Sequence, residues 1–187
     1  MIAIGMRLFD TAIGCCGIAW SERGVVGVQL PEADASATQA LLGRRFPGAG
    51  PRSPPPEVME AIAAITALLR GEHDDMPSIV LDWCGVPPFE RSVYEAARRI
   101  AAGSTLTYGE LARQLGAPGA ARAVGQALGR NPYAPVVPCH RVLAAGGRPG
   151  GFSAHGGLAT KLRLLEIEEA PGFGAGSLFG SPPRKGE

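Results

Sequence analysis

The sequence predicts an α+β chain in two parts: a small N-terminal α/β domain built on a three-stranded antiparallel meander, followed by a winged helix-turn-helix domain. Three observations predict this. Short strand-like runs separated by glycines fill the first thirty residues. Three helix patterns with tight joints follow between Phe89 and Gly129, and the charge changes sign between the two regions.

Taken in order, Arg7 to Ala12, Gly17 to Trp20 and Val25 to Leu30 read as the three strands, with Gly14 and Gly24 at the turns. Asp34 is placed to cap a short helix ending at Gly43, and the Gly- and Pro-rich GRRFPGAGPRSPPP that follows reads as a loop. From Glu57 to Arg70, Val58, Ile62, Ile65 and Leu69 share one helical face, with prolines ahead and Gly71 behind. Ile79 to Trp83 resembles one more buried strand, and CGVPP at Cys84 to Pro88 marks a domain boundary. Beyond it, Phe89 to Ala102 forms a helix with Val93, Ala97 and Ile100 on one face, and Thr107 caps another running to Leu115. A third helix runs from about Pro118 to Gly129, where Asn131-Pro132 ends it. The last two helices, joined through Gly116, have the outline of a helix-turn-helix. A glycine-rich hairpin from Ala144 to Gly151 would supply the wing, and a helix from Leu158 to Glu169 closes the fold. The domains expected are therefore residues 1–84 and 85–170, with a disordered tail over 171–187.

The net charge of +1 conceals a division. Residues 1–90 hold 6 Lys/Arg against 11 Asp/Glu, whereas residues 91–163 hold 10 against 2, a local excess of +8. Such a segment suits a polyanion such as DNA. No run of eighteen apolar residues is present, which excludes a membrane-spanning helix, and the N-terminal MIAIGMRLFD has no basic stretch followed by an apolar one. A cytoplasmic monomer without cofactor is the expectation.

Among the four cysteines, Cys15, Cys16 and Cys84 read as small apolar residues, and with His73 they match no zinc spacing. Cys139 differs, because it sits between a rigid proline segment and a His-Arg pair in PVVPCHRVL. A free thiol of pKa about 8.5 is only slightly ionised at neutral pH, so a nucleophile there needs a base or a positive charge beside it. His140 is the candidate base, and Arg141 a source of field or structure. A third group is needed to orient the base, and Glu166, Glu168 and Glu169 all follow on the last helix.

The run NPYAPVVPCHRVLAAGGRPGGFSAHGGLATKLRLLEIE, with TYGELA and ARAVGQAL upstream, resembles the O6-alkylguanine-DNA alkyltransferases, also called methylated-DNA–protein-cysteine methyltransferases, over about residues 88–168. The resemblance implies a ribonuclease-H-like N-terminal domain and repair of double-stranded DNA. An alkyl group would pass irreversibly from O6-methylguanine, and from O4-methylthymine, to Cys139. It further implies that the chain binds the minor groove and flips the nucleotide out. His140 would take the thiol proton through a water, Glu168 would hold His140, and Asn131 would join the hinge beside the cysteine. Tyr108 would meet the target phosphate and guanine, and Arg122 would fill the vacated stack. Ser153 would touch the flipped base, with Ala121, Ala123, Gly125 and Arg141 also on the DNA side. The chain departs from the common pattern in its longer Ser153 to Gly157 loop, in Phe152 for Tyr, and in Phe89-Glu90 for Phe-Gln. A winged-helix protein that binds alkylated DNA without repairing it is the principal alternative, and a cysteine hydrolase using Cys139 and His140 is a weaker one.

Overall fold

The computed structural model describes residues 3–73 and 75–174. Three strands, β1 (Gly5–Thr11), β2 (Gly14–Ser21) and β3 (Gly24–Gln29), form the antiparallel meander, pairing from Gly5 with Trp20 to Thr11 with Gly14 and from Gly17 with Gln29 to Ser21 with Gly24. Helix α1 (Ala35–Arg45) follows, with the Asp34 side chain accepting from the Ala37 backbone N–H as its cap. The loop expected next instead contributes a fourth strand, β4 (Gly50–Pro51), parallel to β1, so the sheet order is β3-β2-β1-β4. Two residues bounded by Gly and Pro carry no periodicity from which this strand might be read.

Alternation along the strands buries both faces of the sheet. Cys16, Ile18, Trp20 and Val25 join the main core with α2 (Pro56–Leu68), whereas Ala19 and Val26 face Leu42 and Phe46 at the end of α1. Gly27 permits that second contact, since a Cβ there would enter the Phe46 ring and lie 3.1 Å from the Pro132 carbonyl oxygen. The strand expected at Ile79 to Trp83 reduces to one bridge, Val25 with Leu81, flanked by hydrogen bonds from Val25 N to Val80 O and from Asp82 N to Val25 O.

After the bend at Cys84 come α3 (Pro88–Ala97), β5 (Leu106–Thr107), α4 (Tyr108–Gln114), α5 (Ala121–Gly129), β6 (Val142–Leu143) and α6 (Leu158–Ile167). Helix α4 opens with a reciprocal capping box: Thr107 Oγ1 accepts from Glu110 N, and Thr107 N donates to the Glu110 carboxylate. Helix α5 starts three residues later than expected because Pro118 to Ala120 form the turn that separates it from α4. Helices α3, α4 and α5 pack on one another. The core does not stop at the bend. Val93, Tyr94, Val124, Leu128, Val142 and Leu164 belong to the same buried cluster as the sheet residues. Trp83, Tyr94 and Tyr133 pack edge and face at 5.4–6.4 Å where the two halves meet.

The expected hairpin between Ala144 and Gly151 does not form. Instead Ala145–Gly147 make a tight turn with Gly146 and Gly147 at positive φ, Ala144 N donates to Arg148 O, and β6 pairs in parallel with β5. Pro149 lacks an N–H and cannot donate to a ladder, so the residues after the turn do not extend it into a regular pair of strands. The tail expected from Pro171 lies outside the described residues from 175 onward. Pro171 to Gly174 form a turn that packs Phe173 against Leu143, Leu165 and Ala170. Among the described residues, no helix is long and apolar enough to cross a membrane.

Candidate active site

Cys139 opens a short 3-10 turn, Cys139–Arg141, placed by hydrogen bonds from Cys139 N to Val137 O (2.8 Å) and from Arg141 N to Pro138 O (2.9 Å). Its side chain is almost wholly buried. Burial pushes the thiol pKa up, against the lowering effects of the Asn131 hydrogen bond and the Lys161 charge. Asn131, just beyond the C-terminal end of α5, donates from Nδ2 to Val137 O (2.8 Å) and to Cys139 Sγ (3.3 Å), and its Oδ1 accepts from Tyr133 N. One amide thus holds both the proline segment and the sulfur.

His140 has no exposed surface. Its Nε2 lies 2.8 Å from Glu168 Oε1, and its buried Nδ1 has no hydrogen-bond partner among the described residues. Of the three glutamates open at the sequence level, the geometry selects Glu168, because Glu166 pairs with Arg163 and Glu169 lies beyond the helix with positive φ. Burial raises the Glu168 pKa, but the hydrogen bonds and charges of His140 and Arg141 outweigh it and hold the group at about 2. An ionised carboxylate only accepts, so Nε2 carries the proton. Burial lowers the His140 pKa, which favours the neutral ring, and its Nδ1 is then a bare lone pair.

Arg141, expected on the DNA side, is interior. It is 2% exposed and spans Glu168 with Nε and NH2 at 2.8 and 3.0 Å, while NH1 donates to Ile100 O and reaches Asp75 at 3.3 Å. A guanidinium so enclosed cannot reach a phosphate; it fixes the glutamate that fixes the histidine. Gly103 N completes the set at 3.2 Å from Glu168 Oε2. Lys161 was seen in the sequence only as part of a helix pattern. It is fully buried, donates to Val142 O (2.6 Å) and lies 5.9 Å from the Tyr108 ring centre, and burial lowers its pKa to about 8. Its signal was spacing: Lys161, Leu164, Leu165 and Glu168 fall on one face of α6.

These shifts set a pH dependence. Glu168 binds its proton more weakly in the folded state, at about 2, than its ordinary value of 4.5, and His140 likewise lies below 6.5. The folded state therefore takes up fewer protons than the unfolded one, and the stability these groups contribute is complete above about pH 6.5 and lost as the pH falls through 4.5 toward 2. The urea midpoint is expected to fall steadily over that range, and Glu168→Gln to flatten its acid end.

Outside the buried triad, a cavity of about 490 Å³ is lined by Tyr108, Ala121, Arg122, Gly125, Cys139 and Ser153, with Gly151 and Phe152 at the loop side. Tyr108 lies against Gly125, whose absent Cβ would sit 3.7 Å from the ring. Arg122 is exposed in the first turn of α5 at this mouth, and Ser153 is exposed on the loop. Ala123 is half-buried on α5 and does not line the cavity. Glu90, for which the sequence offered no role, pairs with Arg130 at 2.8 Å, and His155 pairs with Glu32 at 3.3 Å. Among the described residues, no group of three or more His, Cys, Asp or Glu side chains is placed to hold a metal ion.

Residues 88–170 match the family model of the 6-O-methylguanine DNA methyltransferase DNA-binding domain. The methylated-DNA–protein-cysteine methyltransferase of Mycobacterium leprae is 49% identical over 110 residues, which is 59% of this chain and 64%, just under two thirds, of that protein. That of Methanothermobacter thermautotrophicus is 35% identical over 152 residues, 81% of this chain and 78% of the relative. The crystal structure of Mycobacterium tuberculosis OGT in complex with DNA superposes with a TM-score of 0.71 at 34% identity, covering 90% of this chain and 96% of that one.

Proposed function

Because this chain belongs to the methylated-DNA–protein-cysteine methyltransferase family, we propose that it repairs duplex DNA by moving the alkyl group of O6-methylguanine, and of O4-methylthymine, onto Cys139, once per molecule. In this reading residues 1–84 are a ribonuclease-H-like domain and residues 85–170 a winged helix-turn-helix in which the tight turn at Ala145–Gly147 stands where a wing hairpin would be. The protein acts as a cytoplasmic monomer on the minor groove. The observation that carries the reading is the sulfur held by Asn131 next to a neutral histidine whose Nε2 is anchored and whose Nδ1 is bare.

The lesion carbon is shielded inside the duplex, so the nucleotide must leave the stack at a cost of about a few kcal/mol. Arg122 enters the gap, Tyr108 meets the phosphate and the base, and Ser153 and the loop backbone contact the extruded guanine in the cavity that ends at Cys139. A raised thiol pKa means the sulfur is not a resting thiolate, and His140 Nδ1 takes its proton through a water as substrate arrives. The sulfur–carbon bond forms as the carbon–O6 bond breaks, the electron pair stays with guanine, and Tyr108 helps deliver the proton that guanine needs. The net movement is one alkyl group onto sulfur and one proton onto the base. The thioether has no leaving route, so each molecule reacts once.

The reading is tested by incubating a duplex carrying a single O6-methylguanine with increasing protein and digesting the DNA. Restored guanine should rise with protein at one per molecule and stop, whereas lesion bound without any restored guanine would favour a non-catalytic binder. Arg122→Ala is expected to slow repair of the duplex about tenfold or more while leaving reaction with the free O6-methylguanine base unchanged, because the base has no stack to leave. Equal losses on both substrates would remove Arg122 from the flipping step.

A further inference from the structure

Among the described residues, the loop that carries Ser153 is tied to the first half of the chain by one polar side-chain contact, His155 Nδ1 to Glu32 Oε2 at 3.3 Å. The two ends of this contact differ in how firmly they are held. Glu32 is 18% exposed and fixed from several sides: its backbone N–H donates to Thr38 Oγ1 (3.0 Å), Gln29 Nε2 donates to its Oε1 (2.9 Å), and Gln29 is itself held by Arg45 NH1 (2.6 Å). Arg45 NH2 reaches the Pro132 carbonyl at 3.4 Å, so the same chain of bonds meets the turn that follows Asn131. His155, by contrast, is 53% exposed, with Gly150 and Gly151 before it and Gly156 and Gly157 after it, and Gly150, Gly156 and Gly157 all take positive φ. Glycines absorb large backbone changes, so the loop can turn at these points while Glu32 stays in place.

We propose that Glu32 and His155 form a proton-dependent tie that holds the Ser153 loop against the first half of the chain, so that capture of the flipped guanine strengthens as His155 takes up a proton. The proposal rests on the alkyl-transfer reading above, and it makes both residues positioning residues, since neither touches the reacting atoms. Gly151, Phe152 and Ser153 line the cavity that ends at Cys139. Phe152, Ser153 and Ala154 also line a smaller one of about 260 Å³ between the two halves, so the loop is the partition between them. A loop released from Glu32 carries Ser153, two residues from His155, out of the guanine-facing wall. A carboxylate and a neutral imidazole share at most one hydrogen bond, whereas an imidazolium adds a charge, and histidine as a side chain changes charge between about pH 5 and 8. The tie is therefore strongest at the acid end of that range and weakest at the basic end. The other charged groups on the smaller cavity are engaged elsewhere, Arg45 with Gln29 and Pro132 O and Arg130 with Glu90. Cys139 is there a thiol whose pKa burial pushes up, and on α6 Lys161 is turned inward to Val142 O. These engagements leave Glu32 Oε2 to His155.

The test is single-turnover repair of an O6-methylguanine duplex over a range of protein concentrations, at about pH 6 and about pH 8, by the wild-type chain, Glu32→Gln, His155→Gln and the double variant. At the lower pH each single variant should raise the half-saturating concentration about two- to fivefold, the range in which partly exposed ion pairs act, and leave the limiting rate unchanged. The double variant should lose no more than either single one, because the two residues act as a pair. At the higher pH the differences from wild type should largely vanish. Comparing each variant with wild type at the same pH cancels the titration of His140 and Lys161. If His155 served instead as a phosphate contact, Glu32→Gln would free it and tighten binding while His155→Gln weakened it, and such opposite signs would overturn the tie. So would wild-type half-saturation in His155→Gln at the lower pH, or equal losses at both pH values; His155 is half exposed, so this variant decides the matter if Glu32→Gln misfolds. No restored guanine from the wild-type chain at any concentration would instead overturn the alkyl-transfer reading.

Discussion

Cys139→Ala is expected to abolish alkyl transfer while duplex affinity stays within about twofold of wild type. Asn131 loses one acceptor but keeps its 2.8 Å bond to Val137 O, and the turn at Cys139–Arg141 is held by backbone bonds that alanine also makes. Tyr108 and Arg122, at the mouth of the cavity, are untouched. Fluorescence anisotropy with a lesion-bearing duplex reports binding and a guanine assay reports transfer. Loss of both together would mark the thiol as structural, and loss of transfer alone is the outcome the site geometry requires.

The second large effect is on Glu168. Its carboxylate is 2% exposed and receives His140, two nitrogens of Arg141 and the Gly103 N–H. Glu168→Ala leaves the Arg141 charge buried, with the Ile100 carbonyl and the half-exposed Asp75 as its partners among the described residues, and breaking a buried pair in this way costs about 3–5 kcal/mol. A urea titration should show that loss. Glu168→Gln keeps the shape and removes the charge, so it separates folding from chemistry. Its stability should fall less, while its transfer rate falls about 10²-fold or more, the scale associated with a misplaced general base. Because the carboxylate raises the His140 pKa, the acid limb of the rate profile should move to lower pH in Glu168→Gln. A glutamate with a merely structural role would leave that limb in place.

Local rules carried much of the fold. The Asp34 cap, the Thr107 start of α4, the apolar face of α2 and the glycine-separated meander are each properties of a few neighbouring residues, and each forms as the spacing predicts. What failed depended on partners distant in sequence. A two-residue strand exists only because β1 offers it an edge, and the run from Ile79 to Trp83 finds room for one bridge. The charge arithmetic misled in a specific way. It counted ten basic residues between Arg91 and Arg163, but Arg141 and Lys161 are buried, and Arg91, Arg130 and Arg163 pair with Glu95, Glu90 and Glu166. On the proposed reading, the field offered to DNA would be weaker than the count suggests, and a single exposed side chain such as Arg122 would carry more weight. At the site, the residues alone pointed to Cys139 and His140 and left three glutamates open, while the family resemblance implied Glu168. The phase of α6 resolves them, because seven residues from Lys161 to Glu168 make two turns and return to the buried face.

The central claim is that Cys139 itself receives the alkyl group. Intact-mass and peptide mass spectrometry after exposure to a duplex with one O6-methylguanine tests it most directly. The account predicts that the peptide containing Cys139 gains one methyl in place of its thiol hydrogen, in proportion to the lesion consumed, while the peptides containing Cys15, Cys16 and Cys84 do not change. An unmodified Cys139 peptide after full exposure, or a methyl found on another residue, would contradict it.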